Sequence, residues 1–235
     1  MAKRISLLGP TIKFRVALKY LPHKCERTLL VPRHINMRQF HFVIQAALGW
    51  TNSHLFEFRP EKLRASLSVG IENDYDYVYV KTTEAYTVQL MEAFLVERVG
   101  KPFWYEYDFG DSWLHRITFL KTTQKDIDLY TGLPLCVKAT AKCPPEDCGG
   151  IWGYEDFLEA IKDKKHPEHR EYKVWIGMDP RESYDEMEVS LEDINMMLMQ
   201  LATSKFWGSK AYDQNIMFDE FDETWPDYGN IWRIY

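Results

Sequence analysis

Three side chains able to perform chemistry lie close together in the stretch FWYEYDFGDSWLHRI, which spans Phe103–Ile117. They are Asp108, Asp111 and His115. Two carboxylates and one imidazole can hold a divalent cation or carry out general acid–base catalysis. If the three side chains converge at one end of a sheet, the stretch predicts a metal-assisted hydrolase.

A strand–turn–strand hairpin explains the same residues without chemistry. The aromatic residues alternate along two strands, and the letters DFGDS between them are typical of a turn. Asp108 and Asp111 would then bond to turn amides, and Gly110 would supply a positive φ. His115 falls on an apolar strand face, where a histidine is usually part of the core. Both interpretations stay open, and His115 is the residue that turn chemistry does not explain.

A second group of side chains has the types that zinc prefers. Cys143 and Cys148 lie in CPPEDCGG, and His166 and His169 lie in HPEH. Two cysteines and two histidines can bind zinc or another divalent metal tetrahedrally. However, 17 residues separate the two pairs, whereas ~12 are usual in a zinc finger. A redox pair of Cys143 and Cys148 is an alternative, although their spacing is not C-x-x-C. A rigid loop shaped by its prolines and glycines is the interpretation without chemistry.

Two further histidines, His41 and His54, flank the end of the first predicted helix and Trp50. They could face one cleft, or each could take part in ordinary packing. The sequence contains no P-loop, dinucleotide-binding, nucleophile-elbow or H-E-x-x-H motif. Enzyme classes that depend on these motifs therefore have no support.

The positive charge is concentrated at the N-terminal end of the chain. Residues 1–40 contain nine lysines and arginines and one acid, whereas the whole chain has a net charge of −6. This asymmetry predicts an anionic partner, either nucleic acid or another protein, on a surface formed by Arg15, Lys19, Arg33 and Arg38. The alternative is a single domain whose basic and acidic faces complement each other.

The composition also limits where the protein can reside. No run of ~18 apolar residues exists, so we expect no membrane-spanning helix. Four cysteines in 235 residues do not make a disulfide framework. We therefore expect a cytoplasmic protein.

The elements that must position these side chains can be predicted from periodicity. Apolar residues alternate in residues 11–21, which predicts a strand, and then recur with helical spacing from Phe40 to Leu48. Asn36 can cap that helix and Gly49 can end it. Two strands follow at about 102–108 and 112–121, and helices follow later. The order predicts an α+β fold, with a largely antiparallel sheet and helices packed on one face.

The chain divides into two parts by composition. Residues 1–204 form the predicted α+β domain. Residues 205–235 mix aromatic and acidic side chains without a clear period, which predicts an extension that packs on the domain or on a partner. A homo-oligomer with this extension as its interface is therefore a third functional alternative, beside the binding domain and the hydrolase.

Several motifs together resemble one family. They are VPRHINMRQFHFVIQAALGWTNSHLFEF, YEYDFGDSWLHRI and CPPEDCGGIWGYEDFLEAI, followed by HPEH and MDP. In this order, across about residues 11–200, the set resembles the plasmid pRiA4b ORF-three-like family, whose members are also described as insertion-element passenger proteins. Many members have a His-Leu-His run where this chain has His54, Leu55 and Phe56.

The resemblance implies an α+β domain of a kind common in bacteria and archaea, and no established reaction. It favours a binding or interaction domain linked to mobile-element or accessory functions. The basic N-terminal hairpin and first helix would form the contact surface of that domain. The competing interpretation is the hydrolase that uses Asp108, Asp111 and His115.

Overall fold

The computed structural model of the chain describes residues 9–62, 67–71, 81–90, 101–204 and 207. Except for Trp207, the predicted extension at 205–235 lies outside the described residues. Within them, five α-helices and eight strands are present. The strands are β1 (Thr11–Leu18), β2 (Cys25–Pro32), β3 (Phe56–Arg59), β4 (Leu67–Gly70), β5 (Lys81–Glu84), β6 (Phe103–Tyr107), β7 (Trp113–Leu120) and β8 (Leu135–Thr140). The helices are α1 (Met37–Leu48), α2 (Gln124–Leu129), α3 (Gly150–Lys162), α4 (His169–Trp175) and α5 (Leu191–Thr203).

The strands form one sheet in the order β5-β4-β3-β6-β7-β1-β2-β8. All neighbours pair antiparallel except β4 and β5, which are parallel. The α+β prediction with a largely antiparallel sheet is therefore confirmed. In the β1–β2 and β6–β7 hairpins, the first strand has an alternating sequence that buries one side of the strand.

The core lies between α1 and one face of the sheet. Phe40 of α1 contacts Phe14, with ring centroids 4.9 Å apart, and stacks near Phe58 at 5.8 Å. Both helix ends agree with the prediction. Asn36 accepts a hydrogen bond from the Gln39 amide, and Gly49 ends the helix in the left-handed region at a φ of 82°.

The remaining helices pack around this centre. Helix α5 packs on α1 and β8, and Asn195 bonds to both main-chain groups of Cys136. The short α2 lies beside the opposite sheet face, where Asp126 pairs with Lys13 at 2.7 Å. No helix among the described residues has both the length and the apolar character needed to cross a bilayer.

Candidate functional site

Three chain segments that are far apart in sequence meet at one end of the sheet. They are the connection after α1, the turn between β6 and β7, and the loop before α3. Each contributes one ligand-type side chain, respectively His54, Asp108 and Asp147, and the ligand atoms of these three lie within 4.8 Å of one another. His54 Nε2 is 2.9 Å from Asp147 Oδ1 and 3.7 Å from Asp108 Oδ2.

The β6–β7 turn positions Asp108. Its Oδ1 accepts hydrogen bonds from the amides of Gly110 at 2.9 Å and Asp111 at 3.3 Å, which leaves Oδ2 directed towards His54. The prediction that Gly110 supplies the positive φ is wrong. Asp108 and Ser112 take the left-handed conformation instead, at φ values of 55° and 54°. The side-chain bonds of Asp108 stabilise this conformation locally, which is why an aspartate tolerates it.

The loop before α3 positions Asp147, which also has a left-handed φ, 60°. The loop packs tightly on the β6–β7 turn, because a Cβ on Gly150 would lie 2.8 Å from the carbonyl oxygen of Asp111. Asp111 Oδ2 accepts a hydrogen bond from the Gly149 amide at 3.2 Å. Asp111 therefore joins the two loops, and among the described residues it is not part of the ligand cluster.

A buried acid, Glu146, lies beside the cluster. Its carboxylate accepts hydrogen bonds from the Thr51 amide at 2.7 Å, from the Thr51 hydroxyl and from the Tyr107 hydroxyl. The Tyr107 hydroxyl in turn accepts the His54 amide at 3.2 Å. Burial raises the pKa of Glu146 above its ordinary value, and the bonds from Thr51 and Tyr107 oppose that shift. This network fixes the main chain on both sides of the cluster.

A second network supports the same connection from inside the core. His41 is fully buried, with Nδ1 2.8 Å from the Tyr105 hydroxyl and Nε2 2.5 Å from Asn52 Oδ1. Gln45 bonds to both Tyr105 and the Asn52 amide. Burial lowers the pKa of His41 to about 3, so the ring is neutral. His41 therefore supports the connection after α1 from inside the core, whereas His54 belongs to the ligand cluster at the surface.

The structure places His115 apart from Asp108 and Asp111. Its ring is fully buried, with its centroid 5.2 Å from that of Tyr105 and 5.4 Å from that of Trp50. Neither ring nitrogen has a hydrogen-bond partner among the described residues. Burial lowers the pKa of His115 to about 3, and the nearby main chain of Tyr105 and Trp113 only partly offsets this. His115 therefore lies in the aromatic core.

The four predicted zinc ligands do not form one cluster among the described residues. Cys143 lies with its sulfur 3.0 Å from that of Cys25. Cys148 is directed at the Gly150 carbonyl. His169 Nδ1 is 2.9 Å from the Ala160 carbonyl, and His166 accepts a local amide.

The predicted basic residues are divided between the two sides of the sheet. Arg15 points to the face opposite Phe14, because side chains alternate along β1. Arg38 lies on α1 and pairs with Glu84 at 2.6 Å. Lys19 and Arg33 follow the ends of β1 and β2, with amides bonded to Leu114 and Pro10 respectively. Arg15 and Arg38 therefore do not share one surface.

Chemically, the cluster offers one imidazole nitrogen and two carboxylates. The His54 side chain is 30% exposed and that of Asp147 is 65% exposed, so the cluster is open to solvent. Three protein ligands leave coordination positions for water or substrate, as in catalytic metal centres. Sequence reasoning identified Asp108 but missed Asp147, whose available signal was an acid between two prolines and two glycines in the loop CPPEDCGG.

Comparisons with known proteins agree with this fold. A family model described as "Plasmid pRiA4b ORF-3-like protein" matches residues 10–193. The chain is 35% identical over 206 residues to the uncharacterized protein y4hQ of Sinorhizobium fredii (strain NBRC 101917 / NGR234), covering 87% of this chain and 98% of that relative. It also resembles the crystal structure of MM3350, a protein of unknown function from Methanosarcina mazei Go1. The TM-score is 0.62 at 27% identity, with 78% of this chain and 96% of the other covered. The chain belongs to the plasmid pRiA4b ORF-3-like family.

Proposed function

We propose that this protein is a divalent-cation-dependent hydrolase whose cation is bound by His54, Asp108 and Asp147. The observation that carries the proposal is the convergence of these three ligand atoms within 4.8 Å of one another from three separate segments. The hydrolase interpretation of the sequence keeps Asp108, and His54 and Asp147 replace His115 and Asp111 as ligands.

The ligand types favour particular cations. An imidazole with two carboxylates suits Zn²⁺, Mn²⁺ or Fe²⁺ better than Ca²⁺, which prefers oxygen ligands alone. His54, Asp108 and Asp147 would hold the cation, which would supply a bound water of lowered pKa and polarise the bond to be cleaved. The two carboxylates would balance the cation's charge. The hydrogen bond from the His54 amide to the Tyr107 hydroxyl would fix the main chain that carries the imidazole.

The exposure of the cluster favours a substrate that presents its reactive group from outside. The side chain of Asp147 is mostly exposed to solvent. The turn that carries Asp108 and the loop that carries Asp147 meet at one end of the sheet. A group at the end or side of a larger molecule therefore suits the site better than a small molecule that must be enclosed.

The test compares cation binding and hydrolysis in the full-length chain. Calorimetric titration with Mn²⁺ and Zn²⁺ should give one site, and chromogenic phosphodiester and carboxylic ester substrates should report cation-dependent turnover. Asp147→Asn should abolish both. Asp128→Asn, an equal charge change on the exposed face of α2, is the matched control. Equal cation affinity in the wild type and Asp147→Asn would refute the ligand set. Tight binding without turnover of either substrate would contradict the hydrolase assignment.

A second candidate function is binding of an anionic partner on the open face of the sheet, which is the face opposite α1. Arg15 is opposite Thr28, and Thr28 is opposite Lys138, so Arg15 and Lys138 share a face. Arg116 lies on that face as well, opposite both Ala17 and Trp104. Within the described residues, neither arginine nor Lys138 has a carboxylate within 4.0 Å.

Trp104, which is partly exposed, lies beside Arg116 on this face. Cationic side chains beside such a tryptophan suit nucleic acid, because they combine phosphate attraction with base stacking. This candidate surface retains Arg15 from the basic surface predicted from the sequence. Arg116 and Lys138 take the place of the contribution predicted from the first helix. A cytoplasmic location and a role in mobile-element or accessory functions remain predictions that accompany this candidate.

A further inference from the structure

A pair of cysteine sulfurs lies outside the ligand cluster. Cys25 begins β2 and Cys143 lies in the loop before α3, and they are 118 positions apart in the chain. Their sulfur atoms are 3.0 Å apart, about 1 Å more than the length of a disulfide bond. Both are free thiols in this structure.

A buried arginine places positive charge next to both sulfurs. Arg27 Nη2 is 3.4 Å from Cys143 Sγ, and Nη1 is 3.9 Å from Cys25 Sγ. The guanidinium is fixed by main-chain carbonyls, including that of Ala47 at 2.7 Å and that of Ala141 at 3.0 Å. The hydrogen bond with the Cys143 thiol lowers the pKa of Cys25, and the Arg27 charge lowers it further. The pair can therefore supply a thiolate.

A small oxidant can reach the pair on one side. Cys143 lines a cavity of about 30 Å³ together with Gly49, Pro144 and Ile176, whereas Cys25 is 1% exposed. The other two cysteines differ in their surroundings. Burial raises the pKa of Cys143, as it raises that of Cys136 to about 11 and that of Cys148 to about 12. Cys143 differs from these two in its geometry, because its sulfur lies 3.0 Å from Cys25 Sγ and 3.4 Å from Arg27 Nη2.

We propose that Cys25 and Cys143 form a redox-active pair that hydrogen peroxide converts into an intramolecular disulfide. The Cys143 sulfur attacks one peroxide oxygen and breaks the O–O bond. The hydroxide released takes the thiol proton and leaves as water, and Cys143 becomes a sulfenic acid. The Cys25 thiol then attacks the Cys143 sulfur, and the hydroxyl of the sulfenic acid leaves with the Cys25 proton as a second water. The two thiols are oxidised by two electrons and the peroxide is reduced by two.

The disulfide would fasten β2 to the loop that carries Glu146 and Asp147. That loop is already attached to the connection after α1, because Trp50 Nε1 donates to the Pro144 carbonyl at 2.8 Å. Formation of this disulfide does not depend on cation binding by His54, Asp108 and Asp147.

The test uses the full-length wild-type protein, so that no variant needs to fold. The reduced protein is treated with hydrogen peroxide, alkylated with N-ethylmaleimide and mapped by mass spectrometry after proteolysis. We expect a cross-linked peptide containing Cys25 and Cys143, which dithiothreitol separates, and alkylated Cys136 and Cys148. Cys25 and Cys143 that both stay alkylated, or a cross-link between Cys143 and Cys148, would overturn the proposal.

Two variants give a second readout. Cys25→Ser should stop the reaction at the Cys143 sulfenic acid, which dimedone labels, because the attacking Cys25 sulfur is missing. Cys136→Ser should form the cross-link as the wild type does. Absence of dimedone labelling in folded Cys25→Ser protein, or loss of the cross-link in Cys136→Ser, would also contradict the proposed route.

Discussion

His54 Nε2 lies 2.9 Å from Asp147 Oδ1, although the two residues are 93 positions apart in the chain. The pair joins the connection after α1 to the loop before α3, at the point where Asp108 also arrives from the β6–β7 turn. Left-handed main chain occurs on each of the three segments, at Asn52, Asp108 and Asp147. Clustering of such conformations is typical of functional sites, because the surrounding contacts must hold them in place.

The first prediction concerns stabilisation by a cation. Mn²⁺ or Zn²⁺ at about 100 times its dissociation constant should raise the free energy of unfolding by about 2.7 kcal/mol, since the ligands come together only in the folded chain. Asp108→Asn should remove most of this increase, and Asp128→Asn should retain it. Thermal unfolding with and without the cation measures the effect, and an equal shift in Asp108→Asn would contradict the site.

The second prediction concerns the buried carboxylate of Glu146. Glu146→Ala should lower the free energy of unfolding by about 2–4 kcal/mol, because the buried Tyr107 hydroxyl and the partly buried Thr51 amide lose their acceptor. Glu146→Gln keeps one acceptor oxygen and should cost less. Urea denaturation of the two variants provides the comparison, and equal losses would show that the hydrogen bonds do not dominate.

The third prediction concerns acid sensitivity. The folded pKa of His115 is about 3, below its ordinary value of 6.5, so the unfolded chain binds the proton first. Stability is therefore complete above about pH 6.5 and falls as pH decreases towards 3, by about 1.4 kcal/mol per pH unit for one histidine. His41 adds a fall of the same sign.

His115→Leu separates the two contributions. Between pH 6 and 4 it should reduce the slope of the unfolding free energy against pH by about 1.4 kcal/mol per pH unit, which is the contribution of one bound proton. His115 suits this test because its ring nitrogens lack partners among the described residues, whereas His41 bonds to Tyr105 and Asn52. Urea denaturation across this range gives the slope, and an unchanged slope would place His115 in a solvated environment.

The fourth prediction concerns the start of α3. A Cβ on Gly153 would lie 1.8 Å from the Cys148 carbonyl oxygen, so Gly153→Ala must move the loop that carries Asp147. We expect a loss of about 1–3 kcal/mol in stability and weaker cation binding. Gly9→Ala is the control, because its Cβ would meet Ile127 at 3.7 Å, an ordinary contact. Wild-type behaviour of Gly153→Ala in unfolding and titration would contradict this packing.

The fifth prediction concerns the open face of the sheet. If this face binds nucleic acid, Arg116→Ala and Lys138→Ala should each weaken binding. Each should also reduce the slope of log affinity against log salt concentration by about one, because one phosphate contact is lost. Lys164→Ala, in the exposed loop after α3, should leave both unchanged. Fluorescence anisotropy with a labelled single-stranded oligonucleotide at several salt concentrations measures this, and identical behaviour of all three variants would exclude this face.

Local patterns in the sequence were sufficient to predict much of the fold. The alternation in β1, the helical stripe of α1 and its caps at Asn36 and Gly49 depend on neighbouring residues, and all are confirmed. The β6–β7 hairpin is confirmed as well, with its turn amides bonded to Asp108.

The ligand cluster was harder to predict because it depends on contacts between distant segments. Asp147 reaches His54 only because Gly149 and Gly150 let the loop approach Asp111. A lone histidine and a lone aspartate in two loops carry no periodic signal. The pairing of Cys25 with Cys143 was missed for the same reason, since only the folded chain brings these two distant positions together.

The position of β1 has a consequence for synthesis on the ribosome. β1 pairs with β2 on one side and with β7, which begins only at Trp113, on the other. At about 5–20 residues per second, β7 emerges on the order of ten seconds after β2. Until then the β1–β2 hairpin has no β7 partner, and two strands alone are marginally stable in water. We expect nascent chains in this interval to expose the apolar side of Phe14 and to be recognised by chaperones.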